Sequence, residues 1–129
     1  MPERYRPDAL VALVTSVLDA MQMGRAIFVG FSWGGDLGCH LAACHPERLC
    51  ALVILDAGYR DPPFDPLLPY ETYVRLNERK VGGRGVAVAP WIVAAVEHGI
   101  ANAPPSATRG AIAASGLPLL LVAAGDAGV

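Results

Sequence analysis

The stretch AIFVGFSWGGDLGCHLAAC, residues 26–44, changes period in its middle, and that change constrains the fold more than any other feature of the chain. Ile27, Phe28 and Val29 form a short continuous apolar run, the pattern of a strand buried on both faces of a parallel sheet. After Gly30-Phe31-Ser32-Trp33-Gly34 the Leu- and Ala-rich segment 33–44 reads as a helix, stopped at His45-Pro46 by the proline. Residues 49–55, LCALVIL, form a second apolar and partly β-branched run, closed by Asp56-Ala57-Gly58. Strand, helix and strand in this order make a βαβ unit, whose crossover is right-handed and whose helices cover the sheet.

The flanking segments extend this α/β pattern. Leu10, Leu13, Val14, Val17, Leu18 and Met21 recur at helical spacing, so we expect a helix over 8–23 with Asp8 as its N-cap and Gly24 as its stop. Arg4 and Arg6 ahead of this apolar run imitate a signal peptide, but the periodicity and Asp19 inside the run favour the helix, and with it a cytoplasmic protein. A third apolar run, LPLLLVAA at 117–124, reads as another strand.

Between the second and third strands the composition shifts. The stretch 61–69 holds four prolines, and Gly82, Gly83 and Gly85 follow soon after. Helices are expected over 71–79, with Tyr73, Val74 and Leu76 inward, and from Pro90 through Val96, while 101–116 reads as loop or short helix. The single domain therefore divides into a core over 1–58, a helix-containing insertion over 59–116 and a later core strand over 117–129. Three parallel strands interrupted by so large an insertion leave edges unpaired and an apolar face uncovered. We expect either self-association through that surface or a larger fold of which this chain is a piece.

Composition removes several classes of partner. The chain has 129 residues, of which 53% are hydrophobic and 17% charged, so it can pack a core and is not a disordered chain. Its net charge of −2 and scattered basic residues give no footprint for nucleic acid, and no apolar run is long enough to span a membrane. Cys39, Cys44 and Cys50 fit neither a zinc pattern nor a CxxC pair and are expected to be buried, reduced thiols. No cofactor or metal is implied, since Asp61 and Asp65 lack a ligand set.

Gly30-Phe31-Ser32-Trp33-Gly34 is a G-x-S-x-G motif lying between a strand and a helix. Such a serine sits in a strained turn that packs closely on strand and helix, and the flanking glycines are expected because a Cβ would not fit there. The turn puts Ser32 at a helix N-terminus, where the Trp33 N–H and the helix dipole can stabilise an oxyanion. The spacing of the glycines is not GxGxxG, and no Gly-Lys-Ser/Thr ending is present, which excludes dinucleotide and P-loop readings.

Through FVGFSWGGDLGCHLAACHPERLCALVILDAG, residues 28–58, the chain resembles the α/β-hydrolase family: elbow, following helix, His-Pro-Glu-Arg turn and a strand ending in Asp. The resemblance implies a partial α/β-hydrolase fold, with 59–116 as the cap insertion and a small-molecule acyl substrate beneath it. It implies Ser32 as nucleophile and Trp33 as donor of one oxyanion N–H. For the acid it implies Asp126, past the 117–124 strand, or alternatively Asp56 at the end of the preceding one. In the family a histidine follows the acid, whereas only Ala127, Gly128 and Val129 follow Asp126 here. His40, His45 and His98 read as structural or surface residues. The resemblance also implies early strands and a second oxyanion donor ahead of the first helix, which we do not expect this stretch to supply. We therefore expect weak or no activity from this chain as it stands, an esterase-type hydrolase being one reading and a non-catalytic binding module or truncated product the other.

Overall fold

The change of period after Val29 is the passage from strand to helix. The computed structural model describes residues 2–57, 63–81 and 88–123. Its elements are α1 (Pro7–Ala20), β1 (Ala26–Phe31), α2 (Trp33–Cys44), β2 (Leu49–Leu55), α3 (Tyr70–Val81), α4 (Pro90–Asn102), α5 (Arg109–Ser115) and β3 (Leu119–Val122). Short 3-10 turns occupy Pro2–Tyr5, Pro46–Arg48 and Pro105–Thr108. The bounds of α2 and β2 agree with the sequence reading residue for residue.

The three strands form one parallel sheet in the order β1-β2-β3. Phe28 pairs with Leu52, Phe31 with Leu55, and Leu55 in turn with Val122, so all three strands finish at the same end of the sheet. One face is packed. Phe28, Leu52 and Ile54 meet α2 through Cys39, Leu41 and Ala42, with Val11 of α1 and Ile112 of α5 closing the same cluster. Leu41, Leu49 and Leu52 are fully buried there, each contributing about 2 kcal/mol by removal from water. The opposite face is open among the described residues. Ile27, Val29 and Phe31, which alternate with the half-buried Ala26 and Phe28 and the buried Gly30, are 60–67% exposed.

Three local readings of the sequence are corrected. Asp8 lies inside the first turn of α1, where it pairs with Arg6 at 3.2 Å, and Arg6 holds the N-cap position without a side-chain cap. The helix stops at Ala20 rather than running to residue 23. Gln22 takes the left-handed conformation at φ 55° and Met23 N–H donates to Leu18 O at 2.8 Å, so the stop is built two residues before Gly24. The face of α1 turned inward is Pro7, Val11 and Leu18, while Leu13, Val17 and Met21 are exposed.

Arg48 fastens the end of α1 to the start of β2. Its guanidinium donates to Asp19 Oδ1 at 2.7 Å, Gly24 O at 3.0 Å and Met23 O at 3.2 Å. At the same end of the sheet Arg25 donates to Leu49 O, bracing the first turns of β1 and β2.

Helices α3 and α4 pack on each other around a second cluster, Tyr73, Ala94 and Ala101, supported by Phe64, Leu68, Tyr70 and Val74. Tyr73 points inward as expected. Leu76 does not: it is 42% exposed, and Asn77, one residue on, is 2% exposed in its stead. That substitution of a polar residue for an apolar one matters at the site described next.

Candidate functional site

Ser32 follows the last paired residue of β1 and precedes the first residue of α2. Its backbone N–H still donates to Leu55 O of the neighbouring strand, at 2.9 Å, while its own carbonyl already accepts from Gly35 N at 2.8 Å. Serving both elements forces the residue to φ 51°, ψ −124°, a conformation that costs an L residue on the order of 1–3 kcal/mol. The side chain makes no capping hydrogen bond to α2 and the residue is exposed. Ser32 thus stands exposed in a strained turn between strand and helix.

The reason for the glycines differs in part from the expectation. A Cβ on Gly30 would strike the carbonyl of Gly34 and come within 2.6 Å of Gly35 N, so the first turn of α2 rests directly on the Gly30 backbone. Gly34 is different: a Cβ there meets nothing within 4 Å. The second crowded position is Gly35, where a Cβ would sit 2.8 Å from Ala57 Cβ and 2.9 Å from Ile54 Cγ2. The close approach of helix to sheet is therefore carried by Gly30 and Gly35, and Gly34 of the motif is not required by space.

Trp33 is the first residue of α2, a position whose N–H has no intrahelical acceptor and points outward along the helix axis. It lies beside the serine at the positive end of the helix dipole. Asp56 occupies the matching position on the next strand. It follows Leu55, the pairing partner of Phe31, takes a left-handed φ of 54°, and donates its N–H to Val122 O at 2.7 Å. Ser32 and Asp56 thus stand side by side at the finish of adjacent strands. Asp126, the other candidate acid, lies outside the described residues.

A cavity of about 210 Å³ opens over the serine. Ser32, Trp33 and Asp36 form its floor, and Phe64 with Val96, Glu97 and Ile100 of α4 forms its opposing wall. Phe64 and one face of α4 therefore lie opposite Ser32. Glu97 is fixed there by Asn77, whose Nδ2 donates to Glu97 Oε2 at 2.6 Å and to Tyr73 O at 3.0 Å. Neither residue was singled out from the sequence. The one available signal was a polar residue four positions after Tyr73 in a helix, on the face that should be apolar.

None of the three histidines lines this cavity. His40 Nε2 bonds Ala103 O at 2.9 Å and ties α2 to the end of α4. Burial holds its pKa below the ordinary histidine value, against the opposing effects of that hydrogen bond and of Asp8. His98 stands edge-on to the rings of Tyr70 and Tyr73. His45 Nδ1 meets Glu47 Oε1 at 3.1 Å on the surface, and this contact helps hold the Glu47 carboxyl below its usual range, after the larger effect of its own backbone amide. His40 and His98 share a separate cavity of about 460 Å³ with Arg6, Asp8, Cys44 and Asn102.

The cysteines divide. Cys39 is buried beneath α5 and its thiol is pushed up to about 11 by that burial, with the charge of Asp36 adding to it, so it is no nucleophile at neutral pH. Cys44 and Cys50 are exposed, contrary to the expectation that all three are buried. Among the described residues no cluster of His, Cys, Asp and Glu could hold a metal, and no helix is long and apolar enough to cross a membrane.

Comparison with known proteins bears on the fold. A family model described as alpha/beta hydrolase fold matches residues 1–87. Epoxide hydrolase 4 of Mus musculus is 30% identical over 54 residues, 42% of this chain and 15% of its own length. Lipase LipV of Mycobacterium tuberculosis is 43% identical over 49 residues, 38% of this chain and 19% of its own. A crystal structure from a study of carboxylesterases of Nitrososphaera gargenis superposes with a TM-score of 0.60 at 16% identity, over 91% of this chain and 53% of that one. That likeness is one of fold. The chain thus spans a minor part of the curated relatives it matches and about half of the solved structure.

Proposed function

This chain belongs to the alpha/beta hydrolase fold family, and on that premise we propose that it carries the nucleophile site of a serine hydrolase for esters, thioesters or related small acyl substrates. The observation that carries the reading is Ser32, exposed at φ 51° on the N-terminus of α2 and facing a cavity. Ser32 Oγ attacks the acyl carbonyl carbon and loses its proton to a base. The carbonyl oxygen becomes an oxyanion beside the Trp33 N–H; its collapse breaks the bond to the leaving oxygen or sulfur, which takes the proton back from the base and departs as alcohol or thiol, leaving an acyl-serine for water to cleave. The acid of the triad is Asp126 by family resemblance. Asp56 is the alternative, supported by its position next to Ser32.

The base is the weak point of the chain. No histidine lines the cavity, and removing a triad member costs several orders of magnitude in rate, so we expect slow turnover or none from these 129 residues alone. Attack on an activated phosphonate is less demanding. A fluorophosphonate probe should label the protein at Ser32, and Ser32→Ala should abolish labelling; an unlabelled, folded parent protein would sink the reading.

The same lack of a histidine favours a second reading, a binding module that has kept the fold without the chemistry. It predicts tight binding of an acyl ester with no release of alcohol, and measurable esterase turnover by a monomeric protein would exclude it.

Three further readings accompany the proposal. We take 59–116 as a cap, supported by Phe64 and α4 facing Ser32. Self-association through Ile27, Val29 and Phe31 is supported by their exposure, and sedimentation of the chain with Val29→Lys against the parent tests it. A cytoplasmic location is supported by three cysteines that form no disulfide.

A further inference from the structure

The cavity of about 460 Å³ where α1, α2 and the end of α4 meet shares no described lining residue with the cavity over Ser32. Its walls are fixed to one another by the fold. His40 Nε2 bonds Ala103 O at 2.9 Å and joins α2 to the end of α4. A Cβ on Gly99 would lie 3.2 Å from Tyr5 O and 3.4 Å from Arg6 Cα, so α4 rests on the backbone that leads into α1. A space of this size, preformed between packed helices, is on the scale of a small-molecule site.

Several polar groups on these walls have hydrogen-bonding capacity that the fold does not use. Arg6 meets Asp8 through Nε alone, at 3.2 Å, and its terminal nitrogens bond no described residue. Both side chains are largely exposed, so the pair contributes little and the guanidinium can turn to a ligand at small cost. His98 touches the rings of Tyr70 and Tyr73 edge-on, and its ring nitrogens bond no described residue either. Asn102 Nδ2 donates to His98 O at 2.9 Å, which fixes the carboxamide at the rim with its second N–H still to spare. Beside these donors the cavity presents the apolar surfaces of Pro7, Val11 and Ala103.

We propose that this cavity is a second ligand site, apart from the elbow, which binds small monocarboxylates with the carboxylate on Arg6 and His98 and the hydrocarbon chain over Val11 and Ala103. The planar end of a guanidinium matches the two oxygens of a carboxylate. Asp8 beside Arg6, with the C-terminal ends of α2 at Cys44 and of α4 at Asn102, repels a second negative charge and so disfavours phosphate. The site stands on its own residues and does not depend on the reading of Ser32.

Binding can be read by NMR on the full chain at neutral pH and constant ionic strength, with sodium hexanoate, hexanamide and inorganic phosphate as separate ligands. Hexanoate should shift the Val11 and Ala103 methyl resonances and bind about tenfold more tightly than hexanamide, the scale of one charge-assisted hydrogen bond. Phosphate should bind more weakly than hexanoate. Arg6→Met should lower the affinity for hexanoate about tenfold and leave that for hexanamide unchanged. His98→Phe, which keeps a ring against the two tyrosines, should lower it about threefold. The two substitutions lie on different elements, so either one reads the site if the other fails to fold. Hexanoate that shifts Trp33 and not Val11, equal affinity for acid and amide, tighter binding of phosphate, or a preference untouched by both substitutions overturns the proposal.

Discussion

Ser32 gives its backbone N–H to the carbonyl of Leu55 at 2.9 Å while its own φ stands at 51°, so one residue belongs to the sheet and to the turn that leaves it. The strain is held by the pairing on one side and the helix on the other. A glycine takes this conformation freely. We therefore expect Ser32→Gly to raise stability by about 1 kcal/mol in a denaturant melt while abolishing phosphonate labelling. Ser32→Ala should abolish labelling with no such gain. A glycine variant no more stable than the alanine variant would show that the turn is unstrained.

The motif's two glycines should answer differently to the same change. Gly30→Ala drives a methyl into the backbone of Gly34 and Gly35, neither of which can move without lifting α2 off the sheet. A loss of more than about 3 kcal/mol is expected. Gly34→Ala meets open space within a helix and should be neutral or stabilising, by up to about 1 kcal/mol. Thermal melts of the two variants followed by circular dichroism decide it, and equal losses would contradict the contacts.

Stability should fall as the pH drops below the ordinary histidine range. Burial holds the His40 pKa under 6.5 in the fold, so the unfolded chain binds the proton first. The stabilising effect of a neutral His40 is complete above 6.5 and is lost as the pH falls through its lower, folded value. His40→Gln, which can still donate to Ala103 O, should flatten this part of the profile. The Glu47 carboxyl is also held low, and its effect is lost at more acid pH, so the two are separable. Urea midpoints taken across the range, parent against variant, provide the measurement.

Alkylation with iodoacetamide at neutral pH should modify two thiols and spare the third. Cys44 and Cys50 are exposed, whereas Cys39 is buried with its thiol pushed up to about 11. Peptide mapping by mass spectrometry should find Cys39 modified only after denaturation. Equal reactivity of all three would mean that α5 does not cover α2.

The core of the fold was legible because its punctuation is strong. Ser32 and Pro46 bracket α2, and Pro46 and Asp56 bracket β2, each residue acting through its own backbone chemistry, so the bounds follow from short stretches of sequence. In α1 the periodicity revealed a helix but offered two apolar stripes. Which one is buried depends on the neighbour, and α2 with α5 takes Val11, leaving Leu13, Val17 and Met21 outside. The strained turn at Ser32 was legible for the same local reason as α2. The Asn77–Glu97 pair was not, because it joins residues twenty positions apart on two helices whose mutual orientation no local pattern fixes. Asp56 was weighed from its strand-end position, yet its left-handed backbone beside Ser32 emerges only when the register of β1 against β2 is known.

The two hydrophobic clusters share no residue: one gathers the sheet with α1, α2 and α5, the other α3 with α4. The floor of the cavity is anchored in the first, and its opposing wall grows out of the second. Substitutions that repack Tyr73 or Ala94 can therefore tilt Glu97 and reshape the space above the serine without loosening the turn that presents it. Such a division separates the turn that presents Ser32 from the wall that faces it, and lets selection or design revise the second while inheriting the first intact.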